Sequence, residues 1–243
     1  MDLLPPEILN KILLLVDRPS TLSASKVCRQ WQSLLLEQVV PIKSLTEFKE
    51  TCRRGDVLSL SRLKFKGDWI GGGLSSACGG GHLDLAKFMI KKGASNWNNG
   101  LHAACRGGHL DLVEFMIEKG ASNWNFGLHS ACRGGHLDLA KFMIEKGADD
   151  WDGGLYGACR GGHLKLVKFM IEKGADDWNG GFSGACYGGH LDLIKFMIEK
   201  GTYNWNSGLF GACRGGHLDL IKFMIEKGAV KCYCGKSVEK HLS

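Results

Sequence analysis

The chain has 243 residues, a formal net charge of +6, and two unusual composition values, 35 glycines and 10 cysteines. No run of about 18 apolar residues occurs, which excludes a spanning helix, and Met1-Asp2 opens on an acid instead of the basic segment of a secretory signal. An intracellular protein is therefore expected, in the cytoplasm with the nucleus also open, its cysteines reduced and no membrane partner. The charge forms no stripe: residues 73–228 carry seventeen basic and sixteen acidic side chains, residues 1–50 carry six of each, and the surplus sits in 51–72 and 229–243. That balance argues against a nucleic-acid partner.

In chain order, "LLPPEILNKILLLVDRPSTLSASKVCRQWQSLL" comes first. Pro5-Pro6 suits the first turn of a helix, with Ile8, Leu9, Ile12, Leu13, Leu15 and Val16 as its apolar side; Arg18-Pro19-Ser20 breaks it. A second helix from about Thr21 to Leu36 presents Leu22, Val27, Trp31, Leu34 and Leu35. About forty residues make a poor free-standing core, so the pair needs a partner or the adjoining chain. Leu4-Pro5, Glu7-Ile8, Ile12-Leu13, Val27-Cys28-Arg29 and Trp31 resemble the F-box. The resemblance assigns 1–45 to an F-box domain and implies binding to the Skp-type adaptor of a cullin complex, the core of a ubiquitin ligase. By that resemblance Leu4, Pro5, Ile8, Leu9 and Ile12 contact the adaptor, while Val27, Cys28 and Trp31 hold the helices together or join the contact. The alternative is an incidental helical cap.

Residues 46–70 read as a linker and degenerate capping repeat, "TCRRGDVLSLSRL", with Cys52 and, four places on, Asp56. Six fuller copies follow over 71–228, marked by Cys78, Cys105, Cys132, Cys159, Cys186 and Cys213 and by His82, His109, His136, His163, His190 and His217, each 27 residues after the last. A fixed period of this size means a solenoid. Within "GLHAACRGGHLDLVEFMIEKGASNWNF", Leu101, Ala104 and Cys105 predict a short first helix ended by Gly107-Gly108. A second helix is predicted from about Leu110 to Lys119, with Leu110, Val113 and Ile117 on one face and Leu112, Phe115 and Met116 widening it, closed by Gly120. "LHAACRGGHLDLVEFMIEKGA" resembles the ankyrin repeat. Against the family's period of about 33, six residues are absent, where the family carries a β-hairpin finger. Phe126-Gly127 stand where a threonine-proline usually opens the first helix.

Each cysteine precedes a histidine by four residues, which raises metal and nucleophile chemistry. Zinc donors of one site lie within about 4 Å of each other, whereas equivalent residues of stacked helices stand about 8–10 Å apart; the ladder is no zinc ladder. Six near-identical pairs also lack the asymmetric constellation of an active site. The cysteine is expected to be a small buried hydrophobe and the histidine to bond backbone groups across the turn, joining units. No enzyme activity, cofactor or metal is expected. Trp97, Trp124, Trp151, Trp178 and Trp205, with Trp69 one residue out of step, are expected to stack on each other and close the shortened loops; the neighbouring Asp149, Asp150, Asp152, Asp176 and Asp177 would repel phosphates.

The copies differ at two places. After the cysteine stand Gly79, Arg106, Arg133, Arg160, Tyr187 and Arg214; after the leucine stand Ser75, His102, His129, Tyr156, Ser183 and Phe210. By resemblance to ankyrin arrays the first series lies on the concave, partner-facing side, and Arg and Tyr are residue types that dominate interface energy. Arg106, Arg133, Arg160, Tyr187 and Arg214, with His102, His129, Tyr156 and Phe210, are the candidate target-binding residues; a solvated arginine row set against the acidic loops is the alternative. The tail 229–243 holds Cys232, Cys234 and His241, a weak metal motif and otherwise a capping tail. The expectation is thus an all-α chain, F-box helices followed by an ankyrin-like α-solenoid, acting as the substrate-recognition adaptor of an SCF-type ligase for an unknown target protein. A scaffold that sequesters a protein without ubiquitination is the alternative. The shortened unit, rich in "GACRGGHL" and "DWN", also resembles arrays encoded by giant DNA viruses.

Overall fold

The computed structural model describes residues 44–56, 67–202 and 204–230. Every regular element among them is an α-helix, thirteen in all, with no strand among the described residues. The chain divides into two compact units, 1–96 and 97–243.

In the first unit α1 (Leu45–Arg54) is the helix of the degenerate repeat. Ser44 caps it, its Oγ accepting from the Glu47 amide at 3.1 Å, and Gly55 ends it at φ 72°. Phe48 and Cys52 are fully buried, and the Phe48 and Trp69 rings lie 5.3 Å apart. α2 (Gly67–Gly79) and α3 (Leu83–Lys91) form the first full repeat.

The second unit is five helix pairs: α4 (Trp97–Gly107) with α5 (Leu110–Glu118), α6 (Trp124–Gly134) with α7 (Leu137–Glu145), α8 (Trp151–Gly161) with α9 (Leu164–Lys173), α10 (Trp178–Gly188) with α11 (Leu191–Glu199), and α12 (Trp205–Gly215) with α13 (Leu218–Glu226). The first helices pack side by side, α4 on α6, α6 on α8, α8 on α10 and α10 on α12, and make one continuous layer. Their buried face is Leu101, Ala104 and Cys105 and their equivalents, as the spacing predicts, except that Cys213 in α12 is only half-buried. Against it each second helix buries three residues, Leu112, Val113 and Met116 in α5. Each such side chain removed from water contributes about 1.5–3 kcal/mol, so the layer holds together although no single unit has a core of its own.

Two expectations are corrected. Leu110 does not face the core: it is 46% exposed, because it opens its helix and a helical side chain leans toward the N-terminus, here out over the turn. The tryptophans do not sit in the loops but open the first helices, which begin four residues before Leu101 and its equivalents. Trp205 packs edge-on against Phe182 and Phe223, at 5.9 and 6.4 Å, and the Trp97 indole borders the closing turn at Gly120. With the helix starting this early, only residues 119–123 remain between α5 and α6, which leaves no room for a hairpin finger.

Candidate functional site

Three local devices position one face of the first helices. The first is the histidine. His136 Nε2 lies 3.2 Å from the Arg106 carbonyl, His190 3.2 Å from that of Arg160, and His217 3.0 Å from that of Tyr187; in the first unit His82 reaches the Arg53 carbonyl at 2.7 Å. A carbonyl only accepts, so each Nε2 carries a proton and donates. Each bond reaches back to the preceding unit, at the residue after its cysteine. The two glycines between cysteine and histidine make this geometry attainable. A Cβ at Gly134 would fall on the Arg106 carbonyl oxygen, and Gly135 turns the chain at φ 86°.

A second device was not legible as such in the sequence. In "NWN" and "DWD" the residue before Trp caps the helix and the residue after it clamps the next loop. Asn123, Asp150, Asp177 and Asn204 accept from the amides three residues on, those of Phe126, Gly153, Gly180 and Ser207. Asn98 Oδ1 accepts from the Ser122 and Asn123 amides at 2.9 and 3.0 Å, and Asn125 Oδ1 from those of Asp149 and Asp150 at 2.8 and 3.2 Å. Asp152 Oδ1 accepts from the Asp176 and Asp177 amides, each at 2.9 Å. These side chains, with the tryptophans, close the shortened loops.

The third device is the cysteine. Cys78, Cys105, Cys132, Cys159 and Cys186 are fully buried where the helices touch, with Cys52 likewise in α1. Burial pushes all six thiols up to about 12. They are therefore protonated at neutral pH and poor nucleophiles or metal ligands. Among the described residues no group of three or more His, Cys, Asp and Glu could hold a metal ion.

The face so positioned collects the residues that vary. The His102 and Phe126 rings stack at 4.1 Å, Phe126 and His129 at 6.1 Å, and His129 and Tyr156 at 6.0 Å. The Arg160 guanidinium lies 3.7 Å over the Tyr187 ring, and Arg214 lies 5.8 Å from Tyr187 and 5.5 Å from Phe210. Burial, then Arg106 and Arg160, lowers the Arg133 pKa. The candidate target residues thus fall into a ring stack from His102 to Tyr156 and a cluster of guanidinium groups and rings made by Arg160, Tyr187, Phe210 and Arg214, with Arg106 and Arg133 close enough to act on their neighbours through charge. Phe126, 41% exposed, belongs to it and was missed. Its signal was a break in the column Asn99, Phe126, Gly153, Gly180, Ser207, where it is the one aromatic residue.

The row is cationic because of its arginines alone. His102 is held below its ordinary pKa by burial, then by Arg106 and Arg133; His129 is lowered to about 4 by burial, then by His102, Arg133 and Arg160, with Asp150 opposing. Both imidazoles are neutral at pH 7. None of Arg106, Arg133, Arg160 and Arg214 has a carboxylate partner among the described residues, where the ion pairs are those of Glu50 with Arg53 and Arg54. Beside the row a hollow of about 330 Å³ lies between Phe126, His129 and Asp150. The outer helices handle their cations differently: Lys119 lies 5.2 Å over the Phe115 ring, four residues before it, and the same pairing recurs down the array.

The adaptor candidates Leu4, Pro5, Ile8, Leu9, Ile12, Val27, Cys28 and Trp31 lie outside the described residues, as do Cys232, Cys234 and His241. No helix among the described residues is long and apolar enough to cross a membrane.

Packed helix pairs carrying one row of variable side chains define a repeat scaffold for protein–protein interaction. Residues 101–180 match the family model for ankyrin repeats in three copies, residues 74–117 that for ankyrin repeats in many copies, and residues 1–43 that for the F-box domain. The chain therefore carries an F-box domain followed by ankyrin repeats. Among solved structures it is similar to the human ASB11 ankyrin repeat domain, at 23% identity over 68% of this chain and 89% of that one, with a TM-score of 0.41. The search of curated proteins gave no significant match.

Proposed function

We propose that the chain is the substrate-recognition adaptor of an SCF-type cullin-RING ubiquitin ligase, its F-box docking on the Skp-type adaptor and its ankyrin array presenting a target protein through the arginine and aromatic row. The observation that carries this reading is the joining, in one chain, of an F-box at 1–43 to a repeat array whose row of arginines has no carboxylate partner among the described residues. On this reading the chain performs no chemistry: the thioester and the catalytic zinc domain belong to other subunits, and its own buried thiols, raised to about 12, take no part. The resemblance of the 27-residue unit to arrays of giant DNA viruses supports a viral source, with a host protein as target and the host cytoplasm as location.

The test is a pull-down of the purified chain with a Skp-type adaptor, comparing wild type with the Ile8→Ala, Ile12→Ala pair. Binding that the pair abolishes supports the assignment. No binding by a wild-type chain shown to be helical by circular dichroism overturns it, and a scaffold that sequesters its partner becomes the better reading.

A further inference from the structure

We propose, resting on the reading of the row as the docking surface, that it takes an acidic segment in an extended polyproline-type conformation, with a carboxylate at every third residue. Charge complementarity comes first. Arg106, Arg133 and Arg160 follow one another in successive units, with no carboxylate among the described residues to neutralise them. Burial first, and then the charges of Arg106 and Arg160, lower the Arg133 pKa. Arg160 Nε is buried without a hydrogen-bond partner, and so is His129 Nδ1 on the same row. A carboxylate is the acceptor that fits a guanidinium, and Arg106 holds its guanidinium exposed.

The spacing selects the conformation. Packed helices stand about 8–10 Å apart, so the backbone positions that carry Arg106, Arg133 and Arg160 repeat at about that interval. A polyproline II segment has three residues per turn and rises about 3.1 Å per residue. Every third side chain therefore returns to the same face about 9 Å further on, in step with the arginines. A β-strand covers a similar distance in three residues but turns that side chain to the opposite face. Among the aromatic members Phe126, 41% exposed, is a ring of the kind that prolines dock on. Where the arginine series is interrupted at Tyr187, Arg160 lies over its ring at 3.7 Å, so the fourth position of the ligand meets a guanidinium stacked on a ring.

A single-stranded nucleic acid fits the row less well. The His102 and Phe126 rings are closed on each other at 4.1 Å, which leaves no slot for a base, and Asp150 is close enough to oppose the lowering of the His129 pKa.

The experiment uses the intact chain and fluorescein-labelled peptides read by anisotropy. One peptide repeats Glu-Pro-Pro; a second has the same composition with its glutamates in one block; a third repeats Gln-Pro-Pro; a thymidine oligonucleotide is the fourth probe. The periodic acidic peptide is expected to bind about ten-fold tighter than the block peptide, and more weakly as salt rises. The Arg106→Gln, Arg133→Gln pair is expected to weaken it about ten-fold, and the exposed Arg106→Gln alone, which leaves the packing untouched, about three-fold. The outer-helix pair Lys168→Gln, Lys195→Gln makes the same charge change and is expected to stay within about two-fold. Equal binding of the block peptide, equal loss with the lysine pair, or tighter binding of the oligonucleotide overturns the proposal. A photo-crosslinker at Phe210, compared with one at Lys195 in cells, separates the two layers. Protein adducts at Phe210 without the peptide preference sink the acidic ligand and leave the docking surface. No adducts at Phe210 sink the docking surface as well.

Discussion

Replacing Asn125 with alanine removes the clamp between α6 and the loop that leads into α8. Three hydrogen bonds are lost: Oδ1 from the Asp149 amide at 2.8 Å and the Asp150 amide at 3.2 Å, and Nδ2 to Asp149 Oδ1 at 3.0 Å. All three bonds are exposed, and the side chain–side chain one, which fixes no backbone, contributes least. The two backbone bonds are each worth about 0.5–1.5 kcal/mol, so the expected loss is about 1–3 kcal/mol. For a chain of this size that lowers Tm by roughly 3–10 °C. Asn125→Asp keeps the acceptor and imitates Asp152, which holds the Asp176 and Asp177 amides at 2.9 Å each in the following unit; it is expected to cost far less. Urea unfolding followed by circular dichroism gives the free energy, and amide exchange at Asp149 and Asp150 gives the location, because protection should fall there first. If Asn125→Ala unfolds within about 0.3 kcal/mol of wild type and those amides keep their protection, water replaces the clamp at no cost and the reasoning fails.

Three further outcomes are expected. Gly135→Ala adds a Cβ 2.6 Å from His163 Cε1 at a φ of 86°, whereas Gly174→Ala at φ 108° meets nothing within 4 Å; thermal unfolding should show the first costing about 1–2 kcal/mol more than the second, and equal losses would mean strain alone decides. Cys132→Ala should cost less than Cys132→Ser in urea, because the buried thiol acts as a hydrophobe and a hydroxyl there has no partner assured. His129 should titrate at about 4 by NMR; with its folded pKa below the unfolded value of about 6.5, its neutral form contributes stability that is full above about pH 6.5 and is lost as pH falls toward 4. A His129→Phe variant should lack that part of the acid dependence, and a measured pKa near 6.5 would show the imidazole to be solvated.

The period and the helix pairs were legible because every unit repeats the same packing problem: Leu101, Ala104 and Cys105 recur at the spacing of one helical face, and six copies average out local accidents. The histidine bond was legible as a role but not as a partner, since only coordinates show that His136 reaches back to the Arg106 carbonyl. Trp97 and its equivalents were misplaced because tryptophan between polar residues reads equally as a loop anchor or a helix start; the asparagine that caps α6 and the asparagine that clamps the next loop decide for the helix. Leu110 misled for the opposite reason. It obeys the apolar period, yet a position in the first turn has no neighbouring turn to cover it. Phe126 was not legible because it stands in a third column, apart from those after the cysteine and the leucine, and only the coordinates show its ring completing the stack.

Shortening the unit and concentrating its variability on the first helices are one event in physical terms. Removing the finger takes away the backbone edges through which a longer loop could meet a partner, and it draws the tryptophan into the helix, so side chains on the helical layer are left to make the contact. Those side chains are held to backbone that is fixed on three sides: a histidine from the next unit on the carbonyl, a buried cysteine beneath, and an Asn or Asp clamp at the start of the helix. A surface fixed in this way loses little freedom when it binds, which favours affinity without additional area. Many of the glycines follow from the same demand, because Gly80, Gly134, Gly161, Gly188 and Gly215 admit the carbonyl of a neighbouring repeat and others turn the chain at positive φ.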